Sequence, residues 1–190
     1  MKNTEITAQI FDDYQTTKQK LLNLGYNEIH SFEMNDSYFT SLSNTSIQYQ
    51  DLINNSFLLR KFSDDSTHYM IYKNKEFDKN GNVVSEEKII SKIDSFESVK
   101  NILNNANFNN YANILTKIYV FKKDDIEFVL QNVESLGLFI EIEEFKAIKN
   151  FSTEEKLDKL ITFLKKLNLN IGDNYNCKKL EMIIKQKTEN

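Results

Sequence analysis

Alternating apolar and polar positions predict about eight β-strands along the chain. In the first of these, TEITAQIF, Glu5, Thr7 and Gln9 alternate with apolar residues, so the polar side chains share one face. A period of two residues is typical of a strand with one apolar and one polar face. The other predicted strands are SFEMNDSYFT, FLLRKF, THYMIYK, VVSEEKIISKI, ILTKIYVFKK, IEFVLQNV and LFIEIEEF.

Helical periodicity predicts four helices beside these strands. Gly25 is placed to end the first, and the pairs Asp94 with Glu97 and Ser152 with Glu155 resemble capping boxes at the start of two others. A stripe of leucines and isoleucine indicates that the third helix packs against the core. The predicted segments are residues 13–24, a segment ending near residue 104, a segment containing the stripe over 157–167, and residues 177–186.

The order of these elements favours a sheet built from hairpins. SDDS separates two strands, and Asn80-Gly81 is a strong hairpin signal between two more. Consecutive hairpins imply an antiparallel sheet or barrel, so the predicted fold class is α+β. No repeat or linker interrupts the chain, and its length fits a single domain over residues 1–190.

Composition narrows the classes of partner. The formal net charge of −4 gives no basic surface for nucleic acid, and the four scattered glycines leave no glycine-rich phosphate loop. No apolar run approaches the length of a membrane span, and no apolar signal region begins the chain. A single cysteine, Cys177, favours a reducing compartment. We therefore expect a cytoplasmic protein that binds neither nucleic acid nor membrane.

Charged residues on several strands provide the candidate chemistry. Glu141 and Glu143 share one face of LFIEIEEF, and Arg60 is the only arginine in the chain. These side chains lie either on a solvated sheet face or inside a closed polar interior, and the pattern alone leaves both open. In a closed sheet, cations would bind phosphate oxygens and carboxylates would bind a divalent ion.

The succession of motifs resembles the CYTH superfamily, the triphosphate tunnel metalloenzymes. The most specific match is L-G-x-F-x-E-x-E from Leu136 to Glu143. This family includes class IV adenylyl cyclases, thiamine triphosphatases and inorganic triphosphatases, and the resemblance implies an antiparallel, eight-stranded, tunnel-like β-barrel with flanking helices. The other matching pieces are E-x-T-x-Q at Glu5–Gln9, D-S-Y-F at Asp36–Phe39, L-R-K-F at Leu59–Phe62, Y-M-I-Y-K ending at Lys73, and Lys117.

The resemblance also implies residue roles. It implies that Glu5, Glu141 and Glu143 bind Mg²⁺ or Mn²⁺, and that Glu141, Glu143 and Lys117 act in catalysis. It further implies a nucleotide or other triphosphate as the substrate and a possible homodimer. The implied substrate-binding residues are Arg60, Lys73, Lys117 and Glu87.

Several charges expected in the family are replaced in this chain. Lys61, Lys75 and Lys88 could compensate only if they face the same interior. Three functions therefore stay open: a cyclase converting ATP to cyclic AMP and pyrophosphate, a thiamine or inorganic triphosphatase, and a degenerate tunnel protein that binds a phosphorylated ligand without turnover. The chain length, the D-S-Y-F motif and the C-terminal helices favour the first. An unrelated barrel for an apolar ligand is a further alternative. The replacements are Thr7, Gln9, Phe62, Ile89, Tyr119 and Gln131.

Overall fold

The computed structural model describes residues 4–42, 49–77, 79 and 83–188, with eight strands and five α-helices in these ranges. A 3₁₀ helix at Lys146–Ile148 follows the last strand. The strands are β1 Glu5–Ile10, β2 Asn27–Thr40, β3 Ser56–Phe62, β4 His68–Phe77, β5 Val83–Ile93, β6 Asn109–Lys123, β7 Ile126–Val133 and β8 Gly137–Glu143. The helices are α1 Tyr14–Asn23, α2 Tyr49–Asn54, α3 Phe96–Asn105, α4 Thr153–Lys166 and α5 Lys179–Thr188.

The strands form one eight-stranded sheet in the order β1-β8-β7-β6-β2-β3-β4-β5. The runs β2 to β5 and β6 to β8 are successive neighbours, as hairpin order predicts, and the paired strands within each run are antiparallel. The predicted α+β class, with an eight-stranded antiparallel sheet and flanking helices, is confirmed. The pairing of β1 with β8, at the far end of the chain, was not predicted.

The chain divides into two compact units, each built from two stretches of sequence. The first contains Met1–Phe32 and Thr116–Lys179, and the second contains Glu33–Leu115 and Leu180–Asn190. The single domain predicted over residues 1–190 stays a prediction.

In the first unit, one face of the sheet forms a core with the helices. Ile140 and Leu130 are fully buried there, together with Leu21 from α1 and Leu160 and Leu164 from α4. Burying such side chains contributes about 1.5–3 kcal/mol each. The opposite face of β1 and β8 is therefore the face that carries the polar residues.

The ends of these two helices follow the predicted signals. Asp13 caps α1 by accepting a hydrogen bond from the Thr16 amide, and Gly25 follows with a φ of 86°. Ser152 and Glu155 form the predicted capping box of α4. Leu21 is the fully buried leucine of α1, whereas Leu22 is 38% exposed.

In the second unit, α3 covers one face of β2–β4. Phe39 and Leu59 pack there against Leu103 of α3. Asp94 was expected to begin this helix, but the N-cap is Ser95, whose hydroxyl accepts from the Ser98 amide. A serine hydroxyl caps an unpaired amide of the first helical turn as well as an aspartate carboxylate does, so the sequence is compatible with a helix that begins after either residue.

Two elements were missed, and one predicted turn lies outside the described residues. The missed elements are α2, a short helix in an asparagine-rich stretch, and the 3₁₀ helix. The Asn80-Gly81 turn lies in a gap of the described ranges, although β4 and β5 pair antiparallel on either side of it. Within the described ranges, the helices are too short or too polar to cross a membrane.

Candidate functional site

The three predicted metal-binding glutamates share one face of β1 and β8. Glu5 lies directly opposite Glu143 in the register, and Glu141 lies opposite Thr7. Because side chains alternate along each strand, Glu5, Thr7, Glu141 and Glu143 all point to the face away from the helical core. We call this the acidic face.

Glu141 is the most enclosed of the three glutamates. Its carboxylate accepts a hydrogen bond from the Thr7 hydroxyl at 3.3 Å and one from the Lys179 ammonium at 3.1 Å. Lys179 also donates to the side-chain carbonyl of the buried Gln131. Two residues that replace expected family charges, Thr7 and Gln131, thus provide neutral hydrogen-bonding groups around the Glu141–Lys179 ion pair.

Lys179 reaches Glu141 because the segment before it pairs with β1. The Thr7 amide donates to the Tyr175 carbonyl at 3.0 Å, and the Cys177 amide donates to the Thr7 carbonyl at 3.1 Å. The Gly172 amide adds a bond of 3.0 Å to the Gln9 carbonyl. The sequence carries no signal for this role of Lys179, since no periodic pattern marks the loop that positions it.

Lys117 does not join the acidic face. It pairs with Asn132, while Val120 pairs with Val129, the β7 residue that lies opposite Glu141. Val120 therefore lies on the acidic face with Glu141. Because positions 117 and 120 differ by an odd number and side chains alternate along a strand, Lys117 points to the other face of the sheet. Its ammonium lies 5.7 Å from the centre of the Tyr119 ring, which stacks on Tyr14 in the core. The expectation that Lys117 accompanies the glutamates is corrected by this register.

In the second unit, one face of β3, β4 and β5 is rich in cations. Lys73 lies opposite Lys88, and Lys75 lies opposite Glu86. Leu58 of β3 pairs with Ile71 of β4, so the alternating positions place Arg60 on the same face as Lys73 and Lys75. We call this the cationic face, with Arg60, Lys73, Lys75 and Lys88 as its members.

Arg60 is held in place by Asp36. The Arg60 Nε and Nη2 atoms donate to the two carboxylate oxygens of Asp36, each at 2.6 Å. The Asp36 side chain is 5% exposed and that of Arg60 is 20% exposed. A bidentate pair of this kind fixes the plane of the guanidinium. The D-S-Y-F motif thereby has a structural role, since its aspartate orients the only arginine.

The pKa of Lys73 is lowered from its ordinary value to about 8, mainly by burial. Glu86 raises this pKa, and charge repulsion from Lys75, Arg60 and Lys88 contributes to lowering it. Lys75 is fixed by a 2.8 Å ion pair with Glu86 and by two backbone hydrogen bonds of 2.8 Å with the Asn54 side chain. An ammonium held among other cations gains strongly from a bound anion.

Other predicted residues lie on the face covered by α3. Glu87 pairs with Asn74, one position away from the Lys73–Lys88 pair, and is exposed. The expectation that Glu87 lies with these cations is therefore corrected, and Glu86 is the β5 acid on their face. Ile89 shares the Glu87 face, and the Lys61 ammonium lies 5.4 Å from the centre of the Phe96 ring of α3. Lys75 and Lys88 can compensate for missing charges, but Lys61 cannot.

The apolar-ligand alternative loses two of its three supporting residues. Tyr119 belongs to the helical core, and Ile89 faces away from the cationic face. Phe62 remains on the Arg60 side of β3, where its ring packs edge-on against Tyr69.

The glutamates fit a divalent ion only in part. No cluster of three or more His, Cys, Asp or Glu side chains suited to a metal ion occurs within the described ranges. Glu5 and Glu143 are directly opposite, and a cation bound by both would offset their mutual repulsion. Mg²⁺ commonly uses one or two carboxylates together with substrate phosphates. The residues therefore fit an ion that binds with a polyphosphate better than a site made of protein ligands alone.

Known proteins resemble the chain over nearly its whole length. A putative adenylate cyclase of Methanocaldococcus jannaschii is 29% identical over 170 residues, which span 89% of this chain and 91% of that protein. A solved structure of a putative adenylate cyclase from Vibrio parahaemolyticus has a TM-score of 0.62 at 12% identity, covering 95% and 97% of the two chains. No protein-family model matches the chain.

A third protein of similar fold is described by its triphosphatase activity. The structure of a putative adenylyl cyclase from Hippeastrum, described as having a dominant triphosphatase activity, has a TM-score of 0.64 at 13% identity and covers 98% of this chain and 96% of that one. The chain has the CYTH-type fold. The predicted resemblance to the CYTH superfamily and its adenylyl cyclases is confirmed, and the low identities of the solved structures mean that they show the fold alone.

Proposed function

We propose that this protein is a CYTH-type enzyme that acts on a nucleotide or other organic triphosphate. The observation that carries the proposal is the cationic face, where Arg60, Lys73, Lys75 and Lys88 lie on one face of three adjacent strands. Four cations against two acids, Asp36 and Glu86, leave an excess of positive charge. This excess suits a polyphosphate, because each charge-assisted hydrogen bond contributes about 1.5–3 kcal/mol.

Each residue has a defined part in this proposal. Arg60, oriented by Asp36, and Lys73 contact phosphate oxygens, and Lys75 and Lys88 add positive potential. In the first unit, Glu5 and Glu143 would hold Mg²⁺ or Mn²⁺, and Glu141 is the third carboxylate of the acidic face. When bound, the ion stabilises negative charge that develops on the transferred group.

The first candidate reaction is cyclisation of ATP to cyclic AMP and pyrophosphate. In it the ribose 3′-hydroxyl attacks the alpha phosphorus, its proton is released, and pyrophosphate leaves. The relative from Methanocaldococcus jannaschii, described as a putative adenylate cyclase, supports this reaction. The matching D-S-Y-F motif supports it as well, since its Asp36 holds Arg60.

The second candidate is a triphosphatase. Here water attacks the terminal phosphorus, and phosphate and a diphosphate are the products. It is favoured by the fold shared with the Hippeastrum protein, whose dominant activity is described as that of a triphosphatase. The neutral Thr7, Gln9 and Gln131 on the acidic face are also consistent with a third outcome, in which the protein binds a phosphorylated ligand without turnover.

Product analysis distinguishes these functions. Purified protein would be incubated with ATP, thiamine triphosphate or tripolyphosphate in the presence of Mg²⁺ or Mn²⁺, and cyclic AMP, pyrophosphate and phosphate would be measured. We expect product from ATP that disappears in Arg60→Ala and persists in Lys61→Ala, which removes a cation from the other face. Phosphate without cyclic AMP would select the triphosphatase. No product from any substrate, with folded protein and saturating metal, would leave the binding function alone.

A further inference from the structure

The Lys179–Glu141 ion pair occupies the most enclosed part of the acidic face. The two side chains are 21% and 25% exposed, and the ammonium lies 3.1 Å from Oε2 of Glu141. The same oxygen accepts from the Thr7 hydroxyl, and the ammonium also donates to Gln131. The pair is therefore enclosed by hydrogen-bond partners on two neighbouring strands.

The backbone, and not only the long side chain, holds Lys179 there. Residues 170–177 form hydrogen bonds to Thr7 and Gln9 of β1 and to Phe11 just after it, and these bonds bring Lys179 to the acidic face. An ammonium delivered by a paired segment loses less conformational entropy on forming the ion pair than one on a free surface side chain. The segment 170–177 thus holds Lys179 in position to pair with Glu141.

An ammonium and a metal ion cannot share this carboxylate without cost. A divalent ion bound to Glu141 would lie about 2.0–2.1 Å from its oxygen, within a few ångströms of the Lys179 charge. Like charges at that distance repel strongly where water is partly excluded. Metal binding by Glu141 requires that the ion pair opens first.

We propose that Lys179 is an internal cation that competes with divalent metal for Glu141. While the pair is closed, Glu141 does not bind Mn²⁺ or Mg²⁺. The proposal deepens the proposed function and rests on it for the identity of the metal, but the competition itself concerns only this chain and a divalent ion. It predicts weak metal binding in the absence of triphosphate.

The test is a Mn²⁺ titration without substrate, in which free Mn²⁺ is measured by electron paramagnetic resonance. Lys179→Met removes the ammonium and leaves Glu141 in place, so we expect Mn²⁺ affinity to rise on the order of tenfold. Lys166→Met, an exposed lysine at the end of α4, makes the same change in net charge and is expected to change affinity less than twofold. Equal gains in the two variants would overturn the proposal.

A second pair of variants locates the effect at Glu141. In Lys179→Met, adding Glu141→Gln should abolish the gain, because the carboxylate that the loss of the ammonium makes available to Mn²⁺ is then removed. A gain that persists in the double variant would place the effect at another residue and would overturn the proposal. If Lys179→Met does not fold, as judged by circular dichroism, Lys179→Gln keeps a hydrogen-bonding amide and the same gain is expected.

The titration separates this proposal from the proposed function. A protein that turns over no triphosphate but shows the Lys179→Met gain would retain the inference and lose the function. A protein that turns over triphosphate but shows no gain in Mn²⁺ affinity in Lys179→Met would retain the proposed function and lose this inference.

Discussion

The proposed binding of a triphosphate should depend on pH in a defined direction, because of the pKa of Lys73. Burial and the neighbouring cations lower the pKa of Lys73 to about 8 in the free protein, against an ordinary value of 10.5. A bound polyphosphate raises the pKa again, because the anion favours the charged ammonium. Below pH 8, Lys73 is already protonated in the free protein. Above pH 8, the binding of polyphosphate must be accompanied by the uptake of a proton at Lys73.

The expected magnitude follows from that pKa. At pH 7 about nine-tenths of the free protein carries a charged Lys73, and at pH 9 only about one-tenth does. The affinity for tripolyphosphate should therefore fall roughly tenfold between pH 7 and pH 9. At pH 8, binding should take up about half a proton.

Calorimetric titration with tripolyphosphate measures both quantities, since the heat in buffers of different ionisation enthalpy gives the proton uptake. Lys73→Arg is the matched control, because the guanidinium stays charged throughout this range. Tripolyphosphate itself loses a proton in this range, so the difference between the two proteins is the quantity to compare. The natural chain should lose roughly tenfold more affinity than Lys73→Arg from pH 7 to 9 and take up about half a proton more at pH 8. An equal pH dependence in the two proteins would refute the assignment of this titration to Lys73.

Three further predictions concern affinity and stability. Arg60→Ala should weaken tripolyphosphate binding on the order of tenfold to a hundredfold and Lys61→Ala less than twofold, by calorimetry; equal losses would mean that the face assignment is wrong. Asp36→Ala should lower the free energy of unfolding by about 3–5 kcal/mol in urea, and a further Arg60→Ala should cost little more; additive losses would show that the two residues do not act as a pair. Leu160→Ala, at a fully buried site, should lower the free energy of unfolding by about 2–5 kcal/mol. Leu22→Ala, at a site that is 38% exposed, should lower it by about 1 kcal/mol or less. A small loss in Leu160→Ala would contradict the described core.

The period-two pattern was sufficient to predict most strands and the shared face of Glu5, Glu141 and Glu143. Alternation within one strand is a local property, so it does not depend on which strands become neighbours. The pairing of β1 with β8 joins residues from 128 positions apart, at Ile10 and Leu138, to 138 apart, at Glu5 and Glu143, and no local signal indicates it. The short helix α2 was missed for a related reason, since its contacts with β4 stabilise a segment of low helix propensity.

The candidate site shows where sequence reasoning becomes insufficient. Lys117 and Glu87 were assigned by motif order, and a shift of one residue moves a side chain to the opposite face. Glu86, rather than Glu87, lies with the cations for this reason. Lys179 could not be predicted at all, because its position depends on the backbone bonds between β1 and the segment 170–177.

The central claim is that the cationic face binds a triphosphate for reaction, and phosphorus-31 nuclear magnetic resonance of ATP with Mg²⁺ and the protein tests it most directly. The ATP signals should decay into those of pyrophosphate or of phosphate and ADP, and Arg60→Ala with Lys73→Ala should stop the decay while Lys61→Ala does not. Decay at the same rate in the double variant, or unchanged ATP with the folded natural chain, would contradict the account.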